Sequence, residues 1–314
     1  MTPTRIGVVG LGLIGGSIAR RLAEQPDLYD PIGFDIQERP RGGLSLAGSI
    51  EQLARDAELV LVAVPPKQTA AVIAAVLAAD RDVLVTDVAS VKAPIVSQIS
   101  DPRYLPSHPL AGSEAVGWSA ARAELLGATI WAVCPPTADA PAEPLCRWAR
   151  VFDAFDARLI VCDPQEHDRA VARTSHAPHL VATAMAALLT RQPSARLSAA
   201  LSGGSFREIA RVASSDQTLW NEILELNADN VAAAVEGLRE ALDDPPDWRR
   251  GREGAELVYG LRWSTPPAWE RREFDWPAWD ELMRLGRAGT AIRRPAVDGN
   301  RISADVAVAV PASS

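Results

Sequence analysis

The sequence predicts an α/β protein: a doubly wound parallel sheet at the N-terminus, then an all-helical domain, then a short C-terminal appendage. Three observations carry this. Over residues 1–164, short apolar runs alternate with amphipathic stretches, the pattern of strands buried on both faces by crossover helices. After Pro164 strand signals stop, and Ala/Leu-rich helical patterns run through residues 165–244. Residues 245–314 turn to Pro, Trp and Arg and hold five of the nine tryptophans, so this segment is expected to be packed, with the helical domain as its candidate support.

In order, the predicted strands are Arg5–Gly10, Pro31–Asp35, Glu58–Val64, Asp82–Val88, Ala128–Cys134 and Ala157–Asp163, with helical patterns such as Leu13–Gln25 and Gln68–Asp80 between them. The helical domain is predicted from Asp168–Arg191, Ser205–Ala213 and Gln217–Asp244. Its apolar faces call for a partner, and a homodimer is expected. In the appendage, Asp275–Gly289 reads as one short helix, and Asp298-Gly299-Asn300 as a hairpin turn.

A formal net charge of -8 argues against a nucleic-acid partner. The strand-like N-terminus lacks a signal-peptide pattern, and no apolar run reaches the length of a membrane span. Cys134, Cys146 and Cys162 form no C-x-x-C pair and read as free thiols. The expectation is a soluble, cytoplasmic protein.

The first strand ends in Gly10-Leu11-Gly12-Leu13-Ile14-Gly15, a G-x-G-x-x-G turn that opens a helix. Gly10 permits the tight turn, Gly12 lets the backbone approach a pyrophosphate, and Gly15 lets helix and strand pack closely. Asp35 ends the second strand, where a carboxylate accepts both ribose hydroxyls of the adenosine half and repels a 2′-phosphate. This is a Rossmann-type site, with NAD expected over NADP; Arg39 and Arg41 soften that preference. Val64 and Pro65, at the end of another strand, are candidates to pack on the cofactor or simply to close a turn.

Two further crevice loops carry polar groups. "TDVASVK" places Ser90 after a strand, as either a crevice hydroxyl or a helix N-cap. "HPLAGSEAVG" opens on His108, one of only four histidines, in a Pro/Gly-punctuated loop.

"GLGLIGGS", "DVASVK", "HPLAGSE", "SHAPH" and "SFREIARVASSDQTLWNEILELN" occur in this order, and together they resemble the prephenate/arogenate dehydrogenase family of tyrosine biosynthesis across residues 5–243. The resemblance implies an NAD(P)-linked oxidative decarboxylation. Hydride leaves C4 of a cyclohexadienol, the C4 hydroxyl gives up its proton, and the ring carboxylate departs as CO2. It places His108 as the acceptor at that hydroxyl, a role that suits a neutral imidazole, with Ser90 orienting the same group.

The resemblance also points to Arg211 as the group that holds a substrate carboxylate, although by pattern alone Arg211 and Arg207 read as a solvated helix face. It puts His179 at the side-chain end of the substrate, with His176 either beside it or structural. Glu114 belongs at the pocket entrance or hydrogen-bonded within it. Trp220 and Asn227 match family positions but equally suit packing, and His167 has no assigned role. His176 and His179 share a helix face but lack a third ligand at metal spacing, so no metal is expected.

The competing β-hydroxyacid dehydrogenases need a lysine in the second domain, and this chain has only Lys67 and Lys92. A non-catalytic NAD sensor would have no use for His108, Ser90 and Arg211 together. Prephenate is the expected substrate, with arogenate and amino-prephenate as alternatives.

Overall fold

The computed structural model describes residues 2–36, 43–245, 247–260 and 267–308. Its first sheet contains β1 (Thr4–Val9), β2 (Tyr29–Phe34), β3 (Ser45–Leu46), β4 (Leu59–Val62), β5 (Leu84–Asp87) and β6 (Tyr104–Leu105). All pairings are parallel, in the order β3-β2-β1-β4-β5-β6. The order reverses at β1, so the carboxyl ends of β1, β4 and β5 lie side by side at a topological switch point. Buried Ile6, Val8, Leu59, Val60, Leu61, Val62 and Val85 explain the unbroken apolar runs, because helices cover both faces.

The last two predicted strands do not extend this sheet. They enter a second, mixed sheet containing β7 (Ser107–Pro109), β8 (Ile130–Val133), β9 (Arg158–Val161), β10 (Ala268–Asp275), β11 (Ile292–Asp298) and β12 (Arg301–Val308). Its order is β10-β12-β11-β9-β8-β7, with β8 and β9 parallel and every other neighbouring pair antiparallel. The C-terminal segment therefore packs on the N-terminal half, not chiefly on the helices. The reason is an open edge: β9 has a partner only on its β8 side until β11 arrives from the tail.

The expected hairpin is present, with Asp298 opposite Arg301 and Gly299 at φ 57°. The expected short helix spans Trp279–Arg287. Strand β10 had no clear signal, because its outward positions are charged and only Phe274 is buried in the core. Phe274, Trp279, Leu282, Ile292, Ile302 and Val306 join Trp131, Trp148, Phe152 and Phe155 in one cluster. Trp279 Nε1 donates to the Ala140 carbonyl at 2.7 Å.

The helical region begins at Pro164–Val171, where Asp163 caps the backbone N–H groups of Gln165 and Glu166. What read as one helix through Arg191 is broken by a π-helical turn, Ala172–His176, before Ala177–Thr190. The wider turn accommodates Pro178, which has no N–H to donate to an ordinary helical ladder. Likewise Gln217–Asp244 divides at Asn227 into Gln217–Leu226 and Ala228–Asp243. Helices Ala195–Ala200, Gly204–Ala213 and Trp248–Gly260 complete the region. Among the described residues no helix is long and apolar enough to cross a membrane.

Candidate active site

Gly10 has φ 90°, and a Cβ there would overlap the Ala63 carbonyl after β4. A Cβ at Gly15 would overlap the Gly10 carbonyl. Gly12 differs: nothing lies within 4 Å of where its Cβ would be. It is the N-cap of Leu13–Ala23, a helix with no side-chain cap and no acidic residue in its first turn. Open space therefore faces unpaired N–H groups at a positive helix end, a geometry that fits a pyrophosphate. Leu11 is buried, while Leu13 and Ile14 are half-buried beside this opening.

Asp35 follows β2, and its Oδ2 accepts from Leu11 N at 2.6 Å, which fixes the carboxylate against the glycine turn. Val64 is half-buried beside Gly10, and exposed Pro65 caps the helix Pro66–Ala79. Arg39 and Arg41 lie outside the described residues.

His108 sits on β7 rather than in a free loop. Its ring is half-buried, and Nδ1 lies 3.0 Å from Nε2 of His167. His167 Nδ1 lies 2.8 Å from Asp168 Oδ1. The partners assign the tautomers. A carboxylate only accepts, so His167 carries its proton on Nδ1 and accepts at Nε2. His108 therefore donates from Nδ1, and its Nε2 keeps a lone pair. Asp168 also accepts from Lys92 N at 2.8 Å and Ala93 N at 2.9 Å, so the carboxylate end is pinned by backbone.

Burial pushes His108 well below the ordinary histidine range, helped by its neighbours His167, Lys92 and His176. This shift favours the neutral ring.

Beneath this chain lies a buried polar base. Lys92 and Asp87 are fully buried and form an ion pair, and Lys92 Nζ also donates to Ser107 O at 2.7 Å. Asp87 Oδ1 accepts from Tyr104 Oη at 2.7 Å, and Asp87 Oδ2 from Ala89 N at 2.9 Å. The end of β5 is thereby tied to β7, one residue before His108. Ser90 lies three residues beyond Asp87 and is half-buried. The next helix, Ala93–Val96, is capped at Lys92 without a side-chain bond, so Ser90 is not its N-cap.

The helical region supplies the far side. His176 is buried and lies 3.1 Å by Nδ1 from Asn227 Nδ2, which also donates to Asp168 O at 2.9 Å. Burial pushes His176 down to about 4. His179 stacks on Trp220 with ring centroids 3.6 Å apart, and burial lowers it too. Arg211 pairs with Glu208 at 3.0 Å and with Glu114 at 3.5 Å. Arg211 and Glu114 are about half exposed, so this cluster lies at a solvent-facing rim.

All four histidines thus bear on one site. His167, Asp168, Lys92 and Asp87 had no assigned part in it from the sequence. Scarcity was the one available signal, since His167 is one of four histidines and Lys92 one of two lysines. Among the described residues, no three His, Cys, Asp or Glu side chains gather so as to hold a metal ion.

Residues 28–161 match the family description "Prephenate dehydrogenase, nucleotide-binding domain", and residues 163–262 match "Prephenate dehydrogenase, dimerization domain". The chain belongs to the prephenate dehydrogenase family. It is therefore an oxidoreductase, and the family's nucleotide-binding and dimerization segments meet beside the His108–His167–Asp168 chain. It is 35% identical over 263 residues to cyclohexadienyl dehydrogenase of Zymomonas mobilis, spanning 76% of this chain and 88% of that one. It is 29% identical over 239 residues to prephenate dehydrogenase of Bacillus subtilis, spanning 71% and 64%. Among solved structures, prephenate dehydrogenase from A. aeolicus in complex with hydroxyphenyl propionate and NAD+ superposes with a TM-score of 0.70 at 26% identity. That match covers 83% of this chain and 96% of the other.

Proposed function

We propose that this prephenate dehydrogenase family member converts prephenate to 4-hydroxyphenylpyruvate and CO2 with NAD+, and that His108 Nε2 is the group that takes the substrate hydroxyl proton. The observation that carries the reading is the His108–His167–Asp168 chain, which leaves Nε2 of a neutral ring as an acceptor.

NAD+ bound on the glycine turn supplies the hydride acceptor. Gly12 and the uncapped start of Leu13–Ala23 would hold its pyrophosphate, and Asp35 its adenosine ribose. Val64 and Pro65 border the same edge. His108 Nε2 accepts the C4 hydroxyl proton as the C4 hydrogen leaves with its electron pair, making a carbonyl. The bond from the ring to the carboxylate then breaks, CO2 departs, and its electron pair passes through the ring to the C4 oxygen. His108 returns the proton to that oxygen, and the aromatic phenol forms with no net proton consumed. His167 and Asp168 keep the His108 lone pair on Nε2 and hold the ring in place. Ser90, beyond the end of β5, orients the same hydroxyl.

Arg211 receives a substrate carboxylate by exchanging its contact with Glu114 for a two-pronged one. His179, on its Trp220 shelf, contacts the side-chain end, and buried His176 supports that wall through Asn227. We further propose a homodimer through the 163–262 segment, on which Leu180, Leu188, Leu197, Leu201 and Leu242 are exposed. A cytoplasmic location fits the three free cysteines.

Steady-state kinetics with prephenate and arogenate, each with NAD+ and NADP+, test the substrate and cofactor. Prephenate with NAD+ should give the highest kcat/KM; preference for arogenate or NADP+ would overturn that choice. His108→Asn should lower kcat by about 10²-fold or more while changing KM little. An unchanged kcat would remove His108 from the mechanism.

A further inference from the structure

The C-terminal strands lie beyond residue 262, where the dimerization segment ends, yet they complete the sheet whose far edge is β7, the strand of His108. Helix Trp279–Arg287 lies directly on β9. At Gly286 the approach is so close that a Cβ would overlap the Val161 carbonyl. Val161 ends β9, six residues before His167. One residue after Gly286, Arg287 Nε donates to both carboxylate oxygens of Glu166 at 2.9 Å. Glu166 immediately precedes His167 on the short helix Pro164–Val171. The tail thus grips both ends of the five-residue link between β9 and the His167–Asp168 pair. The other end of the grip is the core, through Trp279, Leu282 and Leu285.

We infer that Gly286 and Arg287 are positioning residues for the proposed reaction, with the C-terminal unit acting as a clamp that sets His167, held by Asp168, at bonding distance from His108. This inference rests on the catalytic reading above. The clamp works through packing and not through contact with substrate. An exposed ion pair such as Arg287–Glu166 is weak by itself, so the close backbone seat at Gly286 carries the larger share. The groups that act on His108 are His167, Lys92 and His176, and Asp168 faces His167; among the described residues the tail adds no charge beside the ring.

The test uses the full-length chain with prephenate and NAD+. Gly286→Ala must lift the helix or push back the end of β9. It should lower kcat about tenfold or more, with both KM values within about twofold. The acid limb of its kcat profile should move to higher pH, because a loosened His108 is better solvated. Arg287→Glu, facing Glu166, should lower kcat severalfold, and the exchange Glu166→Arg with Arg287→Glu should restore it. Wild-type kcat and pH profile in Arg287→Glu and in folded Gly286→Ala would overturn the inference. So would loss of activity only in proportion to loss of folded protein. If Gly286→Ala does not fold, the Arg287→Glu pair of measurements decides alone. Wild type and His108→Asn run alongside: an inactive wild type or an active His108→Asn counts against the proposed function. Normal clamp variants beside an inactive His108→Asn count against the clamp only.

Discussion

Replacing His167 by Phe keeps a ring of similar size but removes both nitrogens from the centre of the chain. Two hydrogen bonds go, to His108 at 3.0 Å and to Asp168 at 2.8 Å. A neutral bond is worth about 1 kcal/mol net and a charged one about 1.5–3, so the loss of stability should be about 2–4 kcal/mol. Asp168 keeps the backbone N–H groups of Lys92 and Ala93, so the helix start should survive. The catalytic loss has two parts. Without an acceptor at Nδ1, the tautomer with its lone pair on Nε2 loses about 1 kcal/mol of preference, roughly fivefold in population. The ring also loses its anchor, and misplacement of a catalytic group by about 1 Å costs up to about 10²-fold. The combined expectation is a fall in kcat of about 10²-fold with little change in the KM for NAD+. His167 is also one of the neighbours that depress His108. Without it His108 protonates at higher pH, so activity should begin to fall at a higher pH than in wild type. The assay is NADH absorbance under saturating substrate from about pH 5 to 9, a range that brackets histidine titration. A kcat within twofold of wild type would refute the tautomer argument.

Lys92→Met leaves Asp87 buried without its cation and should cost about 3–5 kcal/mol, read as a lower urea midpoint; an unchanged midpoint would mean that the pair contributes nothing. Burial holds His176 at about 4 against an ordinary 6.5, so the unfolded chain binds its proton first. Stability should therefore be flat above about pH 6.5 and fall by about 3 kcal/mol towards pH 4 from this group alone. His176→Gln should flatten that slope, and an equal slope in both proteins would exclude His176 as its source. Arg211→Ala should raise the KM for a dianionic substrate about tenfold with NAD+ affinity intact, and weakened NAD+ binding alone would count against its assignment.

The glycine turn, the alternation of apolar runs and the helical region were legible in the sequence because each depends on neighbours a few residues apart. A tight turn needs Gly10 whatever the rest of the chain does, and a strand covered on both faces needs a continuous apolar run. His108, Ser90, Arg211 and Glu114 become candidate site residues only through five motifs taken together, not through the chemistry of any one. The pairing of His108 with His167 spans 59 residues, and that of Lys92 N with Asp168 spans 76. No local pattern specifies such contacts. The tail reads as an appendage because it is rich in Pro, Trp and Arg and lies beyond the five motifs, whereas the vacancy its strands fill is the edge of β9, created by a different part of the chain. Local sequence thus determined where the cofactor turn lies and which residues are able to do acid–base chemistry. Tertiary structure decided which His108 nitrogen keeps its lone pair, because a tautomer is set by the partner that long-range packing brings to the other nitrogen.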